Sequence, residues 1–145
     1  MRISMKVDYG VRALIDLAQH AGSEPVQTAD IASRQSVPEP YLDQLLAAMR
    51  KVGFIKSRRG PHGGYVLAVE PAELSIDRVI SALEGPTVLI DCLDGSMDCN
   101  QSGHCAQQDL WRNLDTLTKS VLRSTSLADL ALSQKTHDQQ TMYYI

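Results

Sequence analysis

Apolar residues recur at three- and four-residue spacing across positions 6–20, where Val7, Val11, Leu14, Ile15, Leu17 and Ala18 share one side of a helix that Ala21-Gly22-Ser23 ends. After Pro25 the pattern predicts a short second helix over 29–35, with Thr28 as its N-cap and Ile31 and Ala32 facing inward. Ser36-Val37-Pro38 breaks it. A third helix follows, with Pro40 in the first turn, where a missing amide proton is tolerated, and with Tyr41, Leu42, Leu45, Leu46 and Met49 repeating as far as Val52-Gly53. The period then changes. Residues 54–57 and 65–68 are short strand-like runs, joined by Arg58-Arg59-Gly60-Pro61-His62-Gly63-Gly64, whose turn residues predict a hairpin. Two consecutive helices and a hairpin in this order predict a winged helix-turn-helix.

Downstream, Ser75 is the expected N-cap of a helix over 76–83 that Gly85-Pro86 stops. From 107 to 122, Leu110, Trp111, Leu114, Leu117, Val121 and Leu122 form a stripe too wide for a lone terminal helix to bury, so a partner subunit is expected to cover it. Ser126 is expected to cap a further short helix through Leu130. The expected fold class is mainly α with a small β-hairpin wing. Its parts are a winged helix-turn-helix over 1–85, a cysteine loop over 86–106, a dimerisation helix region over 107–132 and a polar, mobile tail over 133–145.

A chain of 145 residues, 43% hydrophobic, holds one compact domain with an appendage and is too short for two full-sized enzyme domains. No charged-then-apolar leader stands out and no apolar run approaches the roughly 18 residues a membrane helix needs, so a cytoplasmic protein without membrane contact is expected. No nucleophile, base and orienting group can be assembled, so no enzyme is expected.

The net charge of −3 conceals a segregation. Between 48 and 67 lie Arg50, Lys51, Lys56, Arg58 and Arg59 with no acid, whereas Glu84, Asp91, Asp94, Asp98 and Asp109 occupy 84–109 with no Lys or Arg. A polyanion responds to that distribution and not to the average. In a helix-turn-helix the second helix enters the major groove N-terminus first. Tyr41, Asp43 and Gln44 are therefore the candidate readers, since Gln can bond adenine bidentately and Asp can accept from cytosine. Lys56, Arg58 and Arg59 on the hairpin would reach phosphates or the minor groove, with Gly60 and Gly63 allowing close backbone approach. One such helix reads only a few base pairs, so a two-fold homodimer on palindromic double-stranded DNA is expected.

Cys92, Cys99 and Cys105 are separated by six and then five residues, wider than zinc knuckles and without a Cys-x-x-Cys pair. Thiolates on a loop of small residues suit an iron-sulfur cluster. Zinc and unligated redox thiols are the alternatives.

The segments Met1-Arg2-Ile3, Asp8-Tyr9, Tyr41-Leu42-Asp43-Gln44-Leu45 and Ser57-Arg58-Arg59-Gly60-Pro61-His62-Gly63-Gly64-Tyr65, followed by three cysteines before Leu110-Trp111, resemble the IscR/NsrR-type bacterial regulators. The resemblance covers residues 1 to about 132. It implies a homodimer whose loop-bound 2Fe-2S or 4Fe-4S cluster controls promoter binding in response to redox state, nitric oxide or iron status, as a repressor. It also implies Cys92, Cys99 and Cys105 as ligands and Tyr41, Asp43, Gln44 and Arg59 as DNA contacts. Where the IscR branch has a histidine ligand, this chain has Gln108, and its first inter-cysteine gap is one residue longer than usual. Asp8 matches the acidic helix-one ligand of the NsrR branch, reaching in from the other subunit, and His104 is the local alternative. A cluster-free thiol or zinc switch on the same fold is the second reading. An iron-sulfur electron carrier would need neither wing nor basic patch.

Overall fold

The computed structural model describes residues 2–22, 24–95, 98–101 and 103–142. Its elements are α1 (Met5–Gln19), α2 (Thr28–Gln35), α3 (Glu39–Lys51), the antiparallel strands β1 (Ile55–Arg58) and β2 (Gly64–Leu67), α4 (Ile76–Glu84), α5 (Gln108–Ser124) and α6 (Leu127–Met142).

The apolar positions read from the helical period form the core. Leu14 and Leu17 of α1, Ile31 of α2, Leu42, Leu45, Leu46 and Met49 of α3 and Val79 of α4 are all buried. Helix α1 runs through the middle of this cluster and packs on α2, α3, α4 and α6. Its start is capped by Ser4, whose hydroxyl accepts from the Val7 amide at 3.2 Å and also bonds the Glu84 carboxylate. Gly10 lets α4 come close, since a Cβ there would lie 2.6 Å from Leu83 Cδ1.

Between α2 and α3 the chain turns at Ser36, which holds the left-handed conformation (φ 53°) and is the single non-glycine residue with positive φ among the described residues. Thr28 is the first helical residue of α2 and not its cap. Gln27 takes that place without a side-chain hydrogen bond, and its carbonyl accepts from the Asp30 and Ile31 amides.

The hairpin pairs Ile55 with Leu67 and Arg58 with Gly64. Arg58 and Gly64 are thus strand residues, and the loop shrinks to 59–63. A contact distant in sequence adds to the hairpin: Val26 forms an antiparallel bridge to Tyr65, with N–H···O distances of 2.9 and 2.8 Å. A Cβ on Gly64 would strike the Val26 carbonyl, and one on Gly63 would strike the carbonyls of Arg58 and Gly60. Both positions require glycine for internal packing, whereas the space around Gly60 (φ 119°) is open. Gly64→Ala is expected to cost about 1–3 kcal/mol by forcing the wing off the Val26 segment. Chemical denaturation measures this, and a change below about 0.5 kcal/mol would show that the bridge does not hold the wing.

The C-terminal helices are docked onto this unit. Ile76 N–H donates to Thr125 O at 3.0 Å, Leu127 N–H donates to Leu74 O at 2.8 Å, and Leu127 is fully buried. Ser126 caps α6 reciprocally with Asp129: its hydroxyl accepts from the Asp129 amide, while the carboxylate accepts from the Ser126 amide and hydroxyl. Those bonds hold the Asp129 carboxyl below its ordinary pKa. The helix does not stop near Leu130 but continues to Met142, so the part of the expected mobile tail over 133–142 is helical; residues 143–145 lie outside the described residues. Among the described residues no helix is long and apolar enough to cross a membrane.

Candidate nucleic-acid interface and cysteine pocket

Helix α3 is buried on the side carrying Leu42, Leu45, Leu46 and Met49, which leaves Asp43 and Gln44 on the solvent side. Tyr41, in the first turn, is half-buried: its ring meets Tyr9 of α1 edge-to-face, with centroids 5.8 Å apart and planes at 76°. Of the three sequence-predicted readers, two are freely presented and one is braced from behind. On the wing, Lys56, Arg58, Arg59 and Gly60 are exposed. Arg50 Nη1 donates to Ser57 Oγ at 3.4 Å, joining the end of α3 to β1. The exposed ends of α3 and the hairpin form one basic surface, with Arg50, Lys51, Lys56, Arg58 and Arg59 all solvent-facing.

A buried carboxylate that periodicity alone did not reveal as a partner joins α1 to the end of α2. Asp16 of α1 is completely buried. It accepts from Arg34 Nε at 2.9 Å and Nη2 at 2.7 Å, and from Gln35 Nε2 at 3.1 Å. His20 Nδ1 lies 2.8 Å from the Asp16 carbonyl oxygen. Arg34 and Gln35 end α2 immediately before the Ser36 turn, so the bidentate pair ties the turn to α1. Hydrogen bonding to Asp16 raises the Arg34 pKa further, with burial opposing. The signal available in the sequence was an acid among Ala13, Leu14 and Leu17, on the apolar side of α1.

Cys92, Cys99 and Cys105 are all half-buried free thiols. With Gly95, Asp98, Asn100 and Gln108 they line one cavity of about 270 Å³. Gln108 is there because α5 begins one turn after Cys105, whose carbonyl accepts from the Gln108 amide at 3.2 Å. His104 is exposed and does not line the cavity. Asp8 does not line it either: on α1 it pairs with Arg12 at 2.9 Å. Among the described residues, no three His, Cys, Asp or Glu side chains converge tightly enough to hold a single metal ion. The three thiols instead ring a space, and soft sulfur donors around glycine fit a polynuclear iron-sulfur core better than one hard cation. One turn further along α5, the Trp111 indole N–H is buried without an acceptor among the described residues.

Helix α5 also exposes an apolar stripe among its polar residues. Leu110, Leu114, Leu117 and Val121 are 53%, 40%, 63% and 62% exposed and lie at three- and four-residue spacing on one stripe of α5.

Two helices and a turn followed by a basic hairpin wing, with the solvent side of α3 open, define a winged-helix DNA-binding regulator. The chain belongs to the Rrf2 family, described as iron-dependent transcriptional regulators, whose family model matches residues 3–133. It is 37% identical over 145 residues to the HTH-type transcriptional regulator IscR of Aliivibrio salmonicida (strain LFI1238), covering 98% of this chain and 86% of that protein. The fold matches the solved structure of CymR, the global cysteine regulator of B. subtilis, with a TM-score of 0.81 and 35% identity over 92% of this chain and 98% of that one. T. potens IscR matches with a TM-score of 0.76 and 38% identity, over 92% of this chain and 88% of that one.

Proposed function

We propose that the protein is a homodimeric transcriptional repressor that binds palindromic promoter DNA and changes its grip according to the state of an iron-sulfur cluster. The observation that carries this reading is the placement of all three cysteines around one cavity at the start of α5, directly before the exposed apolar stripe. Cys92, Cys99 and Cys105 would hold the group. The fourth position goes to Asp8 of a second copy, which the α5 stripe would bring alongside, in preference to the exposed His104. When bound, a 2Fe-2S or 4Fe-4S cluster supplies an inorganic core that reacts with oxidant and nitric oxide and that is lost when iron is scarce. Everything else is done by the chain. The thiolates anchor the loop, Asp8 links α1 to it across the dimer, and Tyr41, Asp43, Gln44, Lys56, Arg58, Arg59, Gly60 and Gly63 present the DNA-facing surface. A hard carboxylate is the weakest member of such a donor set, so that edge is where the site opens.

Similarity to CymR, a cysteine regulator, favours a second reading in which the same thiols switch without a cluster. Anaerobic purification separates the two: a brown protein containing iron and sulfide supports the cluster, and a colourless one with free thiols or stoichiometric zinc supports the alternative. Asp8→Ala is expected to speed cluster loss about tenfold or more while leaving apo dimerisation unchanged. Visible absorbance against time reads the first and size-exclusion chromatography the second; unchanged loss would transfer the fourth position to His104.

A further inference from the structure

The first turn of α3 has no side-chain cap: Pro38 precedes it, and the Tyr41 amide simply donates to the Pro38 carbonyl at 3.1 Å. A cap would in any case fix the backbone and not the Tyr41 side chain. What restricts it comes from another helix. Tyr9 of α1 lies edge-to-face against the Tyr41 ring, at 5.8 Å and 76°, an arrangement in which the positive edge of one ring meets the negative face of the other. The Arg12 guanidinium carbon stands 5.7 Å from the Tyr9 ring centroid, within cation–π range. Arg12 in turn is held by Asp8, Nη2 to Oδ2 at 2.9 Å. Both tyrosines are half-buried against the core, so neither ring is free to leave the other without opening packed surface.

We propose that Tyr9, braced by Arg12, is a positioning residue that holds Tyr41 in the orientation needed at the base edges. This rests on the reading that α3 enters the major groove. Tyr9 acts through Tyr41 and need not touch DNA itself. Fixing the ring before the encounter removes an ordering cost that binding would otherwise meet. Because no phosphate contact is involved, its contribution falls on sequence-specific binding and not on the electrostatic, sequence-independent part.

The test uses the full-length protein and the double-stranded site that the wild type enriches from random oligonucleotides. Tyr9→Leu is expected to weaken binding to that site about three- to tenfold, as the loss of one aromatic pair implies. Binding to a scrambled duplex and the salt dependence should stay unchanged. Tyr9→Phe, which keeps the ring edge, should retain affinity within about twofold, and Arg12→Gln should shift it in the same direction as Tyr9→Leu by less. In a double-mutant cycle, Tyr9→Leu should add nothing to Tyr41→Leu. Additive losses, or equal losses on the enriched and scrambled duplexes, would overturn the proposal while leaving the DNA-binding role intact. If the wild type enriches no site at all, the groove-reading role falls, and the assignment of Tyr9 with it.

Discussion

Cys99→Ser is expected to give a folded, colourless protein whose affinity for its promoter site no longer depends on anaerobic handling. The middle cysteine lies on the loop between the other two and shares their cavity with Gln108, so losing it removes one of three sulfur donors without touching the core of the DNA-binding unit. A serine hydroxyl is a hard, protonated substitute that does not ligate as a thiolate does. Effector coupling of the usual size, about 1–3 kcal/mol, corresponds to a roughly 5- to 150-fold difference in affinity between loaded and stripped protein. In the variant that ratio should collapse to about one, by definition of uncoupled binding. The thermal midpoint of the stripped variant should match that of the stripped wild type. A brown variant with intact coupling would remove Cys99 from the site.

Asp16→Ala is expected to cause the largest loss of stability of any single polar substitution in the helix-turn-helix. The carboxylate is fully buried and accepts three hydrogen bonds from the end of α2. Deleting one partner of a fully buried ion pair costs about 3–5 kcal/mol. Here the Arg34 side chain is 38% exposed and can swing into water, so the smaller figure of about 2–3 kcal/mol is expected. For a chain of this size that lowers the thermal midpoint by roughly 6–12 °C. DNA affinity should fall beyond what the unfolded fraction explains, because the α2–α3 turn loses its tie to α1. Asp16→Asn keeps two acceptor lone pairs and should lose about half as much. A change within about 0.5 kcal/mol for Asp16→Ala would show that the helix pair is oriented by apolar packing alone.

These two sites differ in how far the sequence announced them. Apolar spacing was sufficient for α1 to α3, because Leu14, Ile31, Leu42, Leu45 and Leu46 are buried by the same periodicity that predicts them, and cap and stop residues placed α4. The hairpin was legible, each strand lying one residue nearer the turn than expected with the pairing register unchanged; the bridge from Val26, nearly forty positions from Tyr65 in sequence, is encoded by no local pattern. Helix α6 was cut short at Leu130 because only its first turns are anchored; residues 133–141 are polar and exposed, and helix-favouring composition without a stripe gives no period to read. The cysteines could be found by counting, and Gln108 by comparison with the family. Asp16 with Arg34, and Tyr9 with Tyr41, are pairs between helices that only the packed fold brings together.

The most direct test of cluster-controlled DNA binding is one titration performed twice. Anaerobically purified protein is titrated into its enriched duplex, followed by fluorescence anisotropy, and the titration is repeated after iron chelation, with visible spectra recorded alongside. The expected result is a brown protein with iron and sulfide whose affinity changes at least about fivefold when the colour is lost. A colourless starting protein, or affinities that coincide before and after bleaching, would contradict it.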